Sequence, residues 1–187
     1  RAGTARAPSP PLAVAGLARL LAEGGPSAMR SWPAADLADL LCVLGSSPAL
    51  SRHLVHCGSG WPQAAAVYRE RNPGIEQLIE RTGITASDGF DAIARGLRRM
   101  ARSEMFRIGA RDLLGIATLE ETLDGITSLA DAALRVATDR LRALLARESG
   151  DAVDEDGRPI PFVVLGLGKL GGQDLNYSSD IDVAYYY

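Results

Sequence analysis

The pattern of apolar residues changes near residue 150, and this change limits what the chain can fold into. Before residue 150, apolar residues recur at spacings of three and four, which is the period of an amphipathic α-helix. After it, glycines and short runs of β-branched and aromatic residues take over. We therefore predict an α+β fold in which a mainly α-helical bundle is followed by β structure.

Two long helices are predicted just before the change. In the first, Phe90, Ile93 and Met100 share one helix face with Leu97, and we expect this helix to end near Gly115. The second begins with a capping box, in which the Thr118 hydroxyl and the Glu121 carboxylate each bind a free backbone N–H. Its predicted apolar stripe contains Leu119, Leu123, Ile126, Ala130, Ala133, Ala137, Leu141 and Leu144.

Shorter helices are predicted upstream of these two. The first starts after Ser9-Pro10-Pro11 and stops at Gly24-Gly25. The others cover residues 34–44, 48–56, 61–71 and 74–81. The predicted organisation is a disordered tail (1–11), a helical domain (12–148), a linker (149–159) and a β-containing segment (160–187).

Composition argues against several classes of protein. The net charge of −3, the absence of a dominant basic patch and an aromatic content of 5% argue against nucleic-acid binding. The sequence has no apolar run of membrane-spanning length, no signal-peptide core, and too few cysteines for a disulfide framework. We therefore expect a cytoplasmic protein that does not bind membranes. Because the chain lacks an initial Met and stops inside an apolar run, we expect a fragment.

Two groups of polar residues resemble metal sites. The acidic cluster Asp151, Asp154, Glu155 and Asp156 lacks the glycine and glutamate positions of an EF-hand loop, so we predict a solvated turn. His53, His56 and Cys57 could share one side of a helix, but the sequence supplies no obvious fourth ligand. We favour a helix end with one buried cysteine.

Gly166, Gly168 and Gly171 have the G-x-G-x-x-G spacing of a dinucleotide site, and they follow a predicted strand over residues 160–165. A dinucleotide site also needs a full helix after the third glycine and an acidic residue about twenty positions further on. Here residues 172–179 leave room for one or two helical turns before Asp180. The spacing therefore argues against dinucleotide binding.

Asp180 and Asp182 lie in a strand-like alternation. Residues i and i+2 of a strand face the same side, so we expect both carboxylates to project together while Ile181 and Val183 project into the core. Two close carboxylates repel each other unless a cation lies between them, and Mg²⁺ favours one or two carboxylates with substrate phosphates. The alternative is a strand with solvent-facing aspartates after a glycine-rich turn.

Gly171 and Gly172 add a possible phosphate-binding turn to the predicted metal-binding pair. Without Cβ atoms, they can bring backbone N–H groups close to a phosphate, and a helical turn after them would add its positive end. A phosphate-binding turn beside a metal dyad predicts a nucleotidyl-transfer site.

The stretch GLGKLGGQDLNYSSDIDV closely resembles the signature of the glutamine synthetase adenylyltransferase/deadenylylase family, which belongs to the nucleotidyltransferase (polymerase-β-like) superfamily. VLGSSPALSRHLVHCGSGW and GLRRMARSEMFRIGARDLLGIATLEETLDGITSLADAAL resemble the helical region before the catalytic core of that family. The resemblance spans roughly residues 40 to 187. It implies that residues 160–187 are the truncated beginning of a nucleotidyltransferase catalytic domain with a polymerase-β-like α/β core.

The resemblance also implies roles for individual residues. Asp180 and Asp182 would be the catalytic pair that binds Mg²⁺, and Gly171 and Gly172 the phosphate turn. Three further residues are implied to lie at the nucleotide: Ser178 and Ser179 at the mouth of the site, and Lys169 at a phosphate. Superfamily members place a third carboxylate on a later strand, which would lie beyond Tyr187.

Members of the family have two related catalytic halves, one removing AMP from a tyrosine of glutamine synthetase and one attaching it. LNYSSDID resembles the AMP-removing half, in which inorganic phosphate attacks the adenylyl phosphorus and ADP is released. The implied ligands are ATP or ADP and inorganic phosphate. The implied partners are glutamine synthetase and the nitrogen-signalling PII protein.

Two alternatives stay open at this point. The chain could belong to another metal-dependent nucleotidyltransferase with a different substrate, or it could be a non-catalytic helical module that binds a regulator. We also expect the chain alone to have little or no activity, because its last strand lacks neighbours.

Charged residues on the first long helix have two interpretations. Arg98, Arg99, Glu104, Arg107, Arg111 and Asp112 match the charged pattern of the family. The arginines could lie over the phosphates, or they could form a solvated face in which Glu104 and Arg107 are an i, i+3 pair. We favour the solvated face.

Overall fold

A computed structural model describes residues 7–24, 33–57 and 68–187. The longer helices within these ranges are α1 (Pro10–Gly24), α2 (Ala34–Ser46), α3 (Pro48–Cys57), α4 (Ile75–Arg81), α5 (Phe90–Leu113) and α6 (Leu119–Ser149). They are followed by strand β1 (Val163–Leu167), the single-turn helix α7 (Gly168–Gly171) and strand β2 (Asp182–Tyr186). Helices followed by a small antiparallel sheet confirm the predicted α+β class.

The shorter helices lie close to their predicted positions. α1 starts at Pro10 rather than after Pro11, because the fixed φ of proline suits a first helical turn and its missing N–H is not needed there. Residues 10 and 11 of the predicted tail are therefore helical. Residues 1–6 of that tail, and residues 61–67 of the helix predicted over 61–71, lie outside the described residues.

Contacts divide the chain into two compact units. The N-terminal unit consists of Arg1–Asn72 with Met105–Thr122, and the C-terminal unit of Pro73–Glu104 with Leu123–Tyr187. In the N-terminal unit, α1, α2 and α3 pack together. Its buried apolar core consists of Ala13, Leu40, Val43, Leu44, Leu54, Tyr68, Phe106 and Ala110. The predicted domain boundaries stay a prediction.

Two arginines of the N-terminal unit are buried, so the solvated-face interpretation is wrong for them. Arg107 is 1% exposed and Arg111 is 4% exposed. Arg111 Nη1 donates hydrogen bonds to the backbone oxygens of Tyr68 (3.2 Å) and Glu70 (2.7 Å). Arg107 Nη2 donates to Asn72 Oδ1 at 3.1 Å. The two side chains are buried because they bind the segment 68–72.

In the C-terminal unit, Glu104 is also buried, at 2% exposed. Its carboxylate pairs with the Arg81 guanidinium of α4 at 2.6 Å. The remaining members of the charged set, Arg98, Arg99 and Asp112, are exposed as predicted.

Both long helices follow the predicted bounds closely. Ile93 and Met100 of α5 are buried, as expected, whereas Phe90 is 62% exposed in the first turn. The capping box of α6 is confirmed: Glu121 N–H donates to Thr118 Oγ1 and Thr118 N–H donates to Glu121 Oε2, each at 3.2 Å.

The buried face of α6 is rotated relative to the predicted stripe. Leu119 is 67% exposed, whereas Leu129, Ala132 and Val136 are buried together with Ile126. Leucine and alanine occur on adjacent faces of this helix, so spacing alone does not determine which face is covered. No helix among the described residues is both long and apolar enough to span a bilayer.

The acidic linker forms a solvated turn, as predicted. Asp151, Asp154, Glu155 and Asp156 are exposed. Asp154 Oδ1 accepts hydrogen bonds from the N–H groups of Asp156 (2.9 Å) and Arg158 (2.8 Å). Val153 and Pro159 are bridged across the turn, which returns the chain toward β1.

β1 and β2 form an antiparallel pair whose register runs from Val163 opposite Tyr186 to Leu167 opposite Asp182. The strand predicted over residues 160–165 therefore starts later and continues through Gly166 and Leu167. Backbone pairing with β2 holds Gly166 in the strand, although its lack of a side chain weakens the sequence signal for a strand.

Candidate active site

The two faces of the sheet differ in their surroundings. Val164 and Gly166 line a cavity of about 310 Å³ together with residues of α6. The next residues along β1 point the other way, and Val163, Leu165 and Leu167 are 47%, 45% and 48% exposed. Asp182 lies opposite Leu167 in the ladder and so belongs to this exposed face.

Asp180 and Asp182 are both exposed at the start of β2. The expectation that Ile181 and Val183 both project into the core is wrong for Ile181, which is 44% exposed, while Val183 is half-buried. The ladder begins at Asp182, so Ile181 is not held in the paired strand. Whether the carboxylates act as a metal pair stays a prediction.

The glycine turn lies directly against Asp182. Gly168 has a φ of +52°, a conformation that favours glycine, and this lets the chain turn from β1 straight into α7. A Cβ added at Gly168 would lie 3.4 Å from Asp182 Oδ2. A Cβ added at Gly171 would lie 2.6 Å from the backbone oxygen of Gly166, which is closer than packed atoms allow. The turn therefore needs glycine at both positions.

The helical turn comes earlier than predicted. The sequence predicts it after Gly171 and Gly172, but α7 covers Gly168–Gly171, because Gly168 turns the chain immediately at the end of β1. Gly172 N–H donates to the Gly168 oxygen at 2.9 Å. In the described segment 168–181, α7 is a single turn, so the interval before Asp180 contains no full helix.

Asn176 organises the loop that leads to Asp180. Its Oδ1 accepts hydrogen bonds from Ser178 N–H (3.1 Å) and from the Ser179 hydroxyl (3.0 Å). Asn176 N–H donates to Ser179 Oγ at 3.2 Å. Ser179 is half-buried in this turn, whereas Ser178 and Lys169 are exposed. Their predicted roles at the nucleotide stay predictions.

Sequence reasoning missed one residue at this loop. Thr127 of α6 is 2% exposed, and its Oγ1 accepts a hydrogen bond from Leu175 N–H at 3.3 Å. A threonine within a helix carries no sequence signal of such a contact, because its partner is a backbone group 48 residues away.

The two carboxylates are available as ligands. In the described ranges, neither Asp180 nor Asp182 makes an ion pair or a side-chain hydrogen bond. Both side chains are exposed, and carboxylates are ligands of the type that Mg²⁺ takes, since it binds one or two carboxylates and completes its shell with substrate oxygens and water. No group of three or more His, Cys, Asp or Glu side chains suited to a metal occurs among the described residues.

Two cavities of the C-terminal unit lie away from Asp180 and Asp182. A second cavity of about 520 Å³ is lined by α6 residues with Phe162, Tyr185 and Tyr187. Neither cavity is lined by Asp180 or Asp182. Asp131 lines the smaller cavity, where burial raises the pKa of its carboxyl and Arg135 only partly opposes the shift.

His53 of the other predicted metal group packs against a ring. Its imidazole stacks on Phe106 with ring centroids 5.2 Å apart. The side chains of His56 and Cys57 lie outside the described residues.

Comparison with known proteins supports the resemblance seen in the sequence. A family model described as glutamate-ammonia ligase adenylyltransferase matches residues 37–187. Three relatives bear the name bifunctional glutamine synthetase adenylyltransferase/adenylyl-removing enzyme. The one from Shewanella oneidensis is 35% identical over 156 residues, which are 81% of this chain and 16% of the relative.

The other two relatives match shorter stretches more strongly. The one from Thioalkalivibrio sulfidiphilus is 42% identical over 104 residues, 56% of this chain and 11% of the relative. The one from Stenotrophomonas maltophilia is 45% identical over 91 residues, 49% of this chain and 10% of the relative. The chain thus spans a small part of each relative, and the family match covers most of the chain. The chain therefore belongs to the glutamate-ammonia ligase adenylyltransferase family.

Proposed function

We propose that this chain supplies the glycine turn and the metal-binding aspartates of a site that removes AMP from a tyrosine of glutamine synthetase. The observation that carries the proposal is the position of the Asp182 carboxylate. It lies against the turn at Gly168, on an exposed sheet face, and forms no ion pair within the described residues. The relatives are named for both attaching and removing AMP, and the LNYSSDID motif favours removal.

The proposed reaction is a phosphorolysis. An oxygen of inorganic phosphate forms a bond to the adenylyl phosphorus, and the bond from that phosphorus to the tyrosine oxygen breaks. The tyrosine oxygen takes up a proton, so the products are ADP and unmodified glutamine synthetase. This is an in-line phosphoryl-type transfer, in which positioning and charge stabilisation supply most of the catalysis.

Each residue of the site has a proposed task. Asp180 and Asp182 would hold Mg²⁺, which would supply positive charge to stabilise the transferred phosphoryl group. The exposed Lys169 amine binds a phosphate as a point charge, and Gly171 and Gly172 form the phosphate turn, in which Gly171 must be glycine because the Gly166 oxygen occupies its Cβ position. Ser178 and Ser179 lie at the mouth of the site. PII is the proposed regulatory partner, and the cytoplasm the proposed location.

The first test is made in the complete protein that contains this chain. Asp180→Asn and Asp182→Asn are each assayed for ADP release from adenylylated glutamine synthetase with inorganic phosphate. We expect each rate to fall by more than about a hundredfold, because even groups that only orient metal ligands cost about 10- to 100-fold when removed.

The matched control is Asp156→Asn, an exposed aspartate of the linker that pairs with Arg158. It should retain full activity, since exposed pairs of this kind contribute little. Activity of a folded Asp180→Asn, Asp182→Asn double variant at the level of Asp156→Asn would refute the proposal. If the double variant instead lost only the attachment of AMP from ATP, the assignment to the removing half would be wrong.

The second test concerns the ligand. ADP should bind the complete protein more tightly with Mg²⁺ than with EDTA, and Asp182→Asn should remove this difference. Calorimetric titrations of ADP and of NAD measure both effects. Metal-independent NAD binding without any effect of Mg²⁺ on ADP would favour a dinucleotide site, and absence of all nucleotide binding would favour a non-catalytic helical module.

A further inference from the structure

The segment that carries the proposed active site is attached to the rest of the chain at few points. Between residues 150 and 187, the side chains of Leu170 and Leu175 are buried, at 3% and 2% exposed, and all others are at least partly exposed. Leu170 lies in α7 and lines the smaller cavity with residues of α6. Leu175 lies between the glycine turn and Asp180, in a stretch without regular secondary structure. These two leucines are the apolar anchors of the loop.

Leu175 is also held by a polar contact. Leu175 N–H has no ladder or helix partner, and it donates to Thr127 Oγ1 at 3.3 Å. Thr127 is 2% exposed, so water cannot readily replace its hydroxyl. α6 continues from residue 119 to residue 149, so Thr127 lies well inside a long regular helix. The hydrogen bond therefore ties a loop backbone to a rigid element.

Hydrogen bonds within the loop lead from this contact to Ser179, the residue before Asp180. Asn176 follows Leu175 directly, and its backbone N–H and side chain bind Ser179 Oγ. Ser179 N–H also donates to the Asn176 oxygen at 3.1 Å. Ser179 precedes Asp180, so the path of the chain into Asp180 and Asp182 is set by a turn that starts next to the Thr127 contact.

We propose that Thr127 is a positioning residue for the aspartates of the active site. It acts through the Leu175 N–H and the Asn176–Ser179 turn, without itself contacting substrate or metal. This inference rests on the proposed function of Asp180 and Asp182. It predicts that loss of the Thr127 hydroxyl lowers the affinity of the site for Mg²⁺ beyond what any change in the free energy of unfolding explains.

The variant that tests this is Thr127→Val in the complete protein, because valine keeps the shape and removes the acceptor. The matched control is Thr122→Val on the same helix, since Thr122 is 3% exposed and its hydroxyl bonds to the Thr118 oxygen of the same helix end. Thr127→Ser should restore the contact.

We expect Thr127→Val to raise the Mg²⁺ concentration for half-maximal ADP release by about tenfold, the order of effect of leaving a buried N–H without its partner. The KM for adenylylated glutamine synthetase should change little. Thr127→Ser should return the Mg²⁺ dependence close to the original, and Thr122→Val should not change it. A role in stability alone would affect both valine variants alike and leave the Mg²⁺ dependence unchanged.

Hydrogen exchange gives a readout that needs neither activity nor metal. In the unmodified protein, the Leu175 amide should exchange more slowly than the Ser178 amide, because its acceptor Thr127 is buried whereas the Ser178 acceptor Asn176 is exposed. In Thr127→Val, exchange over residues 172–182 should increase, while Thr122→Val should leave this segment unchanged. If Thr127→Val does not fold, rapid exchange of the Leu175 amide in the unmodified protein would still overturn the inference.

Asp182→Asn, assayed in parallel, separates the two proposals. Loss of activity in Asp182→Asn with normal Mg²⁺ dependence in Thr127→Val overturns the positioning role alone. Full activity in Asp182→Asn overturns the proposed function, and the positioning role is then refuted with it. Loss in Asp182→Asn together with a tenfold shift in Thr127→Val and rescue by serine supports both.

Discussion

Replacing Arg111 with lysine should destabilise the N-terminal unit far more than the same change at an exposed arginine. Arg111 is 4% exposed, and one of its nitrogens donates to two backbone oxygens, of Tyr68 and Glu70. A second nitrogen lies 3.5 Å from Glu121 Oε2. The planar guanidinium reaches these acceptors in a fixed fork, whereas a lysine ammonium is a single flexible donor group.

The magnitude follows from the contacts that lysine cannot keep. Losing one hydrogen bond from a charged donor costs about 1.5 to 3 kcal/mol. The ammonium is also more strongly hydrated than the guanidinium, so its burial is less favourable. We expect Arg111→Lys to lower the free energy of unfolding by about 2 kcal/mol. With a urea dependence of about 2 kcal/mol per molar, the unfolding midpoint falls by about 1 M.

Urea unfolding followed by far-UV circular dichroism measures this shift, with Arg98→Lys as the control. Arg98 lies on the same helix and is exposed, so its replacement should change stability by less than about 0.5 kcal/mol. Equal midpoints for the two variants would refute the structural role of Arg111. An unchanged midpoint in Arg111→Lys together with weaker ADP binding in the complete protein would instead support an arginine that lies over a phosphate.

Three further changes test separate features of the fold. Thr118→Ala removes one half of the α6 capping box and should lower the free energy of unfolding by about 1 kcal/mol in the same urea assay. Gly171→Ala forces a Cβ toward the Gly166 oxygen and should destabilise the turn by about 1 to 3 kcal/mol, seen as faster hydrogen exchange over residues 166–175. Burial raises the pKa of the Asp131 carboxyl, so its ionised form destabilises the fold at neutral pH. Asp131→Asn should therefore raise the urea midpoint at pH 7, and the gain should disappear as the pH falls below the unfolded pKa of about 4.

The sequence predicts the helices well because their signals are local. The Thr118–Glu121 capping box needs only four consecutive residues, and the structure contains both of its hydrogen bonds. Proline and glycine mark the ends of α1 within a residue or two, since their backbone preferences do not depend on tertiary contacts. The α+β class follows from the same local signals.

The buried arginines could not be predicted, because their partners carry no sequence signal. Arg107 and Arg111 have the spacing of a solvated helix face. Arg111 can nevertheless be buried, because its guanidinium donates hydrogen bonds to backbone oxygens of the segment 68–72. Any residue type offers such an oxygen. Thr127 was missed for the same reason, since its partner is the backbone N–H of Leu175. Long-range contacts between a side chain and a backbone group are thus the features that sequence patterns do not indicate.

The same G-x-G-x-x-G spacing can meet different structural requirements. In a dinucleotide site, the three glycines allow a tight turn, an approach to pyrophosphate and the packing of a long helix. Here Gly168 provides a left-handed turn beside the Asp182 carboxylate, and Gly171 fits beneath the Gly166 oxygen. These contacts fold the chain back onto β1 within one helical turn. The interval from the glycines to Asp180 therefore carries the discriminating information. A dinucleotide site fills this interval with a full helix that leads to a parallel strand, whereas here a single helical turn and a short loop lead to the antiparallel neighbour β2.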